Sequence, residues 1–169
     1  MFINVNSRNM ISKNYSHTIF NIIGAAMEVH RTLGGGLLEP IYNEALILEL
    51  RDRGISAESE KLLPCYYKGI LMDKTYRMDI VVDDIIIELK SVHHFSPTHR
   101  AQLFNYLRLT HKKIGLLINF GCDSLEGERY VYDENSNTCI LVDRNMDPVP
   151  KTISEEDDWI DDSSALSFQ

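Results

Sequence analysis

Apolar residues Ile19, Ile22, Ile23, Ala26, Val29 and Leu33 recur mostly three and four apart, which predicts a helix with one buried face. Ser16 is placed to cap it and the Gly34-Gly35-Gly36 run to stop it. A second helix is expected from Glu39, where Ile41, Ala45 and Leu48 carry the period to Arg53 and Gly54 offers a left-handed stop. The period then changes. β-Branched and aromatic residues crowd residues 61–68, 75–82 and 85–91, parted by Gly69 and Asp83-Asp84, and predict three strands in a meander. Ser96 and Pro97 supply a cap and a first-turn proline for a helix to about His111. A strand over 113–120 follows, stopped by Gly121, with shorter strands expected at 129–132 and 139–142. Helices, three strands, helix and strand is the order of an α/β domain, a central mixed sheet flanked by helices.

The pattern also bounds the domain. Residues 1–14 are polar without a period and are expected to be a flexible arm; residues 151–169, acidic and serine-rich, are expected to be a disordered tail. One domain is expected over residues 15–150, with no internal repeat. No apolar run approaches the ~18 residues of a membrane span, and the first residues lack the basic-then-apolar layout of a signal peptide, so a cytoplasmic protein is expected. Cys65, Cys122 and Cys139 are odd in number and widely spaced, which points to reduced packing residues rather than disulfides or a cysteine-rich zinc site.

Charge weighs against a protein that coats nucleic acid, because the chain carries a net charge of −8. The last 19 residues hold six acids against one lysine, however, which leaves −3 on the rest. A body at −3 with a carboxylate-rich site still admits a polyanion reached through a small basic patch.

The chemistry concentrates in Ile85-Ile86-Ile87-Glu88-Leu89-Lys90, apolar on both faces until an acid and a lysine arrive on one face. A buried carboxylate there must be paired or coordinated. An ion pair between Glu88 and Lys90 would satisfy it. The preceding strand adds Asp79 within Met78-Asp79-Ile80-Val81-Val82, and a two-residue turn at Asp83-Asp84 would set Asp79 opposite Glu88. Two facing carboxylates repel unless a divalent cation lies between them. Magnesium, hard and octahedral, suits such an oxygen site, and manganese could substitute.

Asp79 followed by Glu88-Leu89-Lys90 resembles the signature of the restriction-endonuclease-like PD-(D/E)xK nucleases. Gly36-Leu37-Leu38-Glu39-Pro40-Ile41-Tyr42 resembles the motif of the GxxExxY protein family, a bacterial branch of that class. Gln102 and Tyr106 resemble its QxxxY element, and Gly115 to Gly121 is similar to its closing strand, so that the likeness runs from about Ile19 to Val131. The resemblance implies a restriction-endonuclease-like core and metal-dependent hydrolysis of phosphodiester bonds, in DNA. By the same resemblance Asp79, Glu88 and the Leu89 carbonyl would hold the metal, Glu39 would complete or extend the acidic site, and Lys90 would polarise the attacking water or stabilise phosphate charge. Gln102 and Tyr106 would hold water, metal ligands or the substrate strand.

Without that resemblance, Glu39 reads as a first-turn acid on a helix dipole, and Gln102 and Tyr106 as a surface amide and a packing ring. His93, His94 and His99 lack a completing cysteine for zinc and are expected to line the substrate approach beside Arg100 or to fill a solvated loop. Glu28 and His30, two apart on a helix, do not share a face. An alternative function is a catalytically silent binding module that captures a protein partner through the acidic tail and its Trp159. A third is a tail that mimics nucleic acid and covers the site.

Overall fold

The structure, a computed structural model, describes residues 5–150, with side chains from Tyr15 onward. Its elements in chain order are α1 (Val5–Leu33), α2 (Glu39–Asp52), β1 (Glu58–Tyr67), β2 (Ile70–Val82), β3 (Ile85–Lys90), α3 (Pro97–Thr110), β4 (Ile114–Asn119), β5 (Glu126–Asp133) and β6 (Thr138–Val142). The six strands form one sheet in sequence order, antiparallel throughout except for β3 beside β4. That parallel pair requires a crossover, and α3 provides it.

Helices cover both faces of the centre, so β3 and β4 are buried at every position and their sequences run apolar without alternation. On one face Ile80, Val82, Ile85, Ile87, Ile114 and Leu116 pack with Ile19, Ile22, Tyr42 and Leu46 of α1 and α2. On the other, Val81, Ile86 and Leu117 meet Leu103, Tyr106 and Leu107 of α3. The carboxylate and ammonium of β3 follow the parity of Ile86, which directs them to the α3 face.

The β2–β3 turn closes as expected. Val82 faces Ile85, Val81 faces Ile86 and Ile80 faces Ile87, a register that continued by one residue would bring Asp79 across from Glu88. The first helix differs from expectation. It begins at Val5, and Ser16 lies inside it rather than capping it. Once the apolar stripe from Ile19 to Val29 anchors the helix, each added residue costs only its own ordering, and residues 5–15 contain no Gly or Pro to stop propagation. Within the arm expected over residues 1–14, residues 5–14 continue α1. Residues 1–4 and the acidic tail with Trp159 lie outside the described residues.

β1 and β2 are also longer than the period indicated. Before Met78 β2 is exposed at every position, so no alternation marks it, and in β1 only Lys61, Leu63 and Cys65 are half-buried. The turn between them is Lys68-Gly69, both with positive φ (49° and 78°), the backbone that a tight two-residue hairpin demands. Among the described residues no helix is long and apolar enough to cross a membrane.

Candidate active site

The end of β3 carries the expected charges into the interior. Glu88 is 1% exposed and Lys90 7%. Lys90 Nζ donates to Glu88 Oε1 at 2.7 Å and to Gln102 Oε1 at 3.2 Å. The second carboxylate oxygen, Glu88 Oε2, is buried with no hydrogen-bond partner among the described residues. Asp79 stands across the strand gap. Its Oδ2 accepts from the Leu89 amide at 2.8 Å, a donor that a continuing ladder would direct to the backbone of Met78. The side chain thus replaces a ladder bond, and the paired register ends at Ile80 and Ile87. From the other side Asn43 Nδ2 donates to the Asp79 carbonyl at 3.2 Å, and Ser59 Oγ holds the Asn43 amide at 2.6 Å.

These surroundings oppose ionisation of both acids. Burial raises the Asp79 carboxyl above its ordinary range, with the Leu89 amide and Lys90 acting against it and Glu39 and Glu60 adding to it. Burial first, then Asp79 and Glu39, push Glu88 up to about 7, with Lys90 only partly offsetting them. A buried carboxylate with one bare oxygen and a like charge alongside is costly by itself. It is what a cation would relieve.

Glu39 is brought in by the loop between α1 and α2. Tyr42 organises that loop: its hydroxyl donates to the Gly34 carbonyl at 2.7 Å and accepts from the Leu37 amide at 2.9 Å. Its ring stacks on Phe120 at 4.4 Å and 12°. The Gly36 amide donates to the Phe120 carbonyl at 3.2 Å, and Ser91 Oγ donates to the Leu37 carbonyl at 2.5 Å. These bonds tie the loop to the ends of β3 and β4. An open groove of ≈ 470 Å³ lies there, lined by Gly36, Leu37, Leu38, Glu39, Pro40 and Ser91. Glu39 opens α2 with no side-chain cap of its own, and its charge is felt at Asp79 and Glu88.

The start of the crossover is fixed by Asn119, fully buried, whose side chain accepts from the Val92 and Gly121 amides at 3.0 Å and donates to the Val92 carbonyl at 2.8 Å. The same clasp needs Gly121. A Cβ there would stand 2.3 Å from the Val92 backbone nitrogen and oxygen.

On α3, Gln102 and Tyr106 share one face, as expected from their spacing. Gln102 accepts from Lys90 and donates through Nε2 to the Tyr106 hydroxyl at 2.9 Å, which in turn donates to the Arg77 carbonyl at 2.9 Å. Tyr106 is 2% exposed, and burial pushes its phenol up to about 12. Both side chains are spent on protein partners, which leaves little of either for a substrate strand.

The histidines do not form a group. His99 accepts the Ser96 amide on Nδ1 and completes the α3 capping box, while His93 and His94 are exposed. Arg100, beside them, is held by both oxygens of Glu128, at 2.9 and 2.7 Å. Glu28 pairs with Arg31, and His30 Nε2 meets the Cys122 carbonyl at 2.9 Å, which separates that pair as expected. Asn43, Tyr42 and Asn119 were not singled out for roles in the sequence; Tyr42 was legible only as a letter of the GxxExxY motif, and an isolated asparagine carries no periodic signal.

Among the described residues, no three of His, Cys, Asp and Glu converge closely enough to hold an ion by themselves. The charge of Glu39 raises both Asp79 and Glu88. The donor set that remains is two carboxylates and the main chain, suited to a hard cation that keeps several waters. The bare Glu88 Oε2 fits such a group.

Among curated proteins none matches the sequence at a significant level. A solved structure described as SSO0001 is 24% identical, with a TM-score of 0.44; the match covers 58% of this chain and 52% of that one, about half its length. The sequence profile of the PD-(D/E)XK nuclease superfamily matches residues 16–130. That span runs from α1 into β5 and takes in every residue gathered around Glu88, and by it this chain belongs to the PD-(D/E)XK nuclease superfamily.

Proposed function

We propose that the protein is a magnesium-dependent nuclease that hydrolyses phosphodiester bonds of DNA, with manganese as a competent substitute. The observation that carries the reading is Glu88, a buried acid raised to about 7 with one oxygen unpartnered, set opposite Asp79 and beside Lys90. Asp79, Glu88 and the Leu89 carbonyl are the proposed metal ligands, and Glu39 lends negative charge from the groove. When bound, the cation would activate the attacking water and screen the charge that builds on the phosphate.

The side chains divide the rest. Lys90 lies within hydrogen-bond reach of Glu88, so its ammonium can hold a water or a phosphate oxygen at the same point. Gln102 and Tyr106 are positioning residues: the line from Lys90 through Gln102 and Tyr106 to the Arg77 carbonyl fixes where the ammonium sits. Asn43 steadies the backbone of Asp79 from the other side.

The test is cleavage of linear, circular and single-stranded DNA, and of RNA, by the purified chain with magnesium or with chelator. Cleavage should require the metal and fall at least about 100-fold in Lys90→Ala, the loss expected for one charge-stabilising group. Lys90→Arg, which keeps a cation against Glu88, controls for folding. Equal residual cleavage by wild type and Lys90→Ala would sink the proposal.

The Lys90–Glu88 ion pair favours a second reading, a nuclease-fold module in which that pair is structural and no metal binds. Calorimetric titration of magnesium and manganese into wild type and Asp79→Ala separates the two. Heat of binding in the first and none in the second supports the nuclease.

A further inference from the structure

The distal half of the β1–β2 hairpin is not explained by the fold. Tyr66 is 64% exposed, Tyr67 63% and Ile70 70%, and Leu62 and Leu71 are more than half exposed. Large exposed apolar side chains concentrated on one hairpin mark a contact site. We infer that this arm is a platform for single-stranded nucleic acid that holds the strand leading into the Glu88 site, an inference that rests on the nuclease reading above.

Three observations select that occupant. The first is charge. Residues 61–77, the part of the hairpin beyond Glu60, carry Lys61, Lys68, Lys74 and Arg77 against Asp73, a local +3 in a chain of −8, while Glu58, Glu60 and Asp79 at its base bring the two strands together to neutrality. The outer part of the arm is therefore where a polyanion meets attraction. Lys61 and Arg77 pair with Glu58 and Glu60 in exposed ion pairs, which are weak enough to exchange for phosphate.

The second is the kind of side chain. Tyr67 follows the parity of Leu63 and its partner Tyr76 and so shares their face of the hairpin, Tyr66 points to the opposite face, and Lys68 Nζ lies 5.5 Å from the centre of the Tyr67 ring. Aromatic faces beside basic residues hold unpaired bases by stacking and the backbone by charge. Duplex DNA hides its base faces and would leave the rings idle.

The third is continuity with the site. Asp79 and Arg77 lie on β2, the strand that becomes the arm. Tyr76 packs edge-on to Tyr106 at 5.6 Å, and Tyr106 leads through Gln102 to Lys90. From Asp79 to the turn the strand extends about 30 Å at ~3.4 Å per residue. That length accommodates roughly nine stacked nucleotides at ~3.4 Å each, inside the ~4 to 16 that such surfaces occupy. A second copy adding a strand to the β1 edge is disfavoured, because Pro64 lacks an amide and the register is broken between Pro64 and Tyr66.

The probe is a fluorescein-labelled 12-nucleotide single-stranded DNA, bound to the full chain in chelator and followed by anisotropy over a range of salt. Wild type should bind it more tightly than the matching duplex. Tyr66→Ala with Tyr67→Ala should weaken binding by at least about 10-fold. Lys68→Glu with Lys74→Glu should flatten the log–log salt slope by about 1.4, two contacts at ~0.7 each. All four positions are exposed, so the variants should keep the melting temperature of wild type. Unchanged affinity in both double variants would overturn the inference. So would sedimentation showing a wild-type dimer that Tyr66→Ala with Tyr67→Ala splits while DNA affinity is unaltered; the arm would then join two copies. If wild type cleaves only with metal but the arm variants bind as it does, the inference alone falls. If wild type neither binds nor cleaves, both fall.

Discussion

Replacing Glu88 by glutamine removes a charge the interior resists while keeping an oxygen for Lys90 to donate to, and its effect on stability depends on pH. In the unfolded chain the carboxyl ionises near its ordinary 4.5; in the folded protein burial and Asp79 hold it back to about 7. Between those values the native state keeps a proton the unfolded state has lost. Stability from this group is therefore fully present below about pH 4.5 and is lost as pH rises through about 7. The interval from 4.5 to about 7 corresponds to about 3 kcal/mol. Glu88→Gln has no such dependence. Urea unfolding of both proteins in chelator, from pH 5 to pH 8.5, should show the variant gaining on wild type by about 3 kcal/mol across that range. For a domain of this size that is a relative rise in melting temperature of roughly 6–12 °C. Groups that titrate in both proteins cancel in the difference. A wild-type-minus-variant difference that stays flat from pH 5 to pH 8.5 would refute the placement of Glu88 as a buried, under-compensated acid. Saturating magnesium should reverse the order above pH 7, since only wild type offers the carboxylate that binding stabilises.

The same acid predicts proton release on metal binding: titrating magnesium in buffers of different ionisation enthalpy should release about three-quarters of a proton at pH 6.5 and almost none at pH 8.5, given a carboxyl that titrates near 7. Tyr42→Phe strips the Gly34 carbonyl and the Leu37 amide of their partner, which should cost about 1–3 kcal/mol in urea unfolding and lower metal-dependent cleavage by loosening the loop that presents Glu39. Gly121→Ala places a Cβ 2.3 Å from the Val92 backbone, where neither chain can yield, and should destabilise by about 2 kcal/mol or more by the same measurement. Ser96→Ala removes the cap of α3 and should cost about 1 kcal/mol, leaving the pH dependence assigned to Glu88 unchanged.

Much of the molecule was legible along the chain because its signals are local. The Asp83-Asp84 turn allows only one short closure, and with it the register from Val82 and Ile85 to Ile80 and Ile87 was determined before any tertiary contact. The apolar run of β3 announced burial on both faces, and an acid and a lysine two apart had to share one of them. Ser96, Pro97 and the left-handed His111 bounded α3 by backbone chemistry alone. What the sequence left open depends on which distant side chains meet. The helix beginning at Val5 has no apolar stripe to show in its first turns, and the long arm of β1 and β2 has no buried face to alternate against. Which distant groups hold Arg100, Gln102 and Tyr106 was not legible either: β5 supplies Glu128 to the first, and Lys90 and the Arg77 carbonyl bond the other two. The bare oxygen of Glu88 was equally invisible, because one acid and one lysine satisfy each other on paper. Only the enclosure by α3 and the rest of the sheet decided that a single ammonium, shared with Gln102, leaves half the carboxylate without a partner.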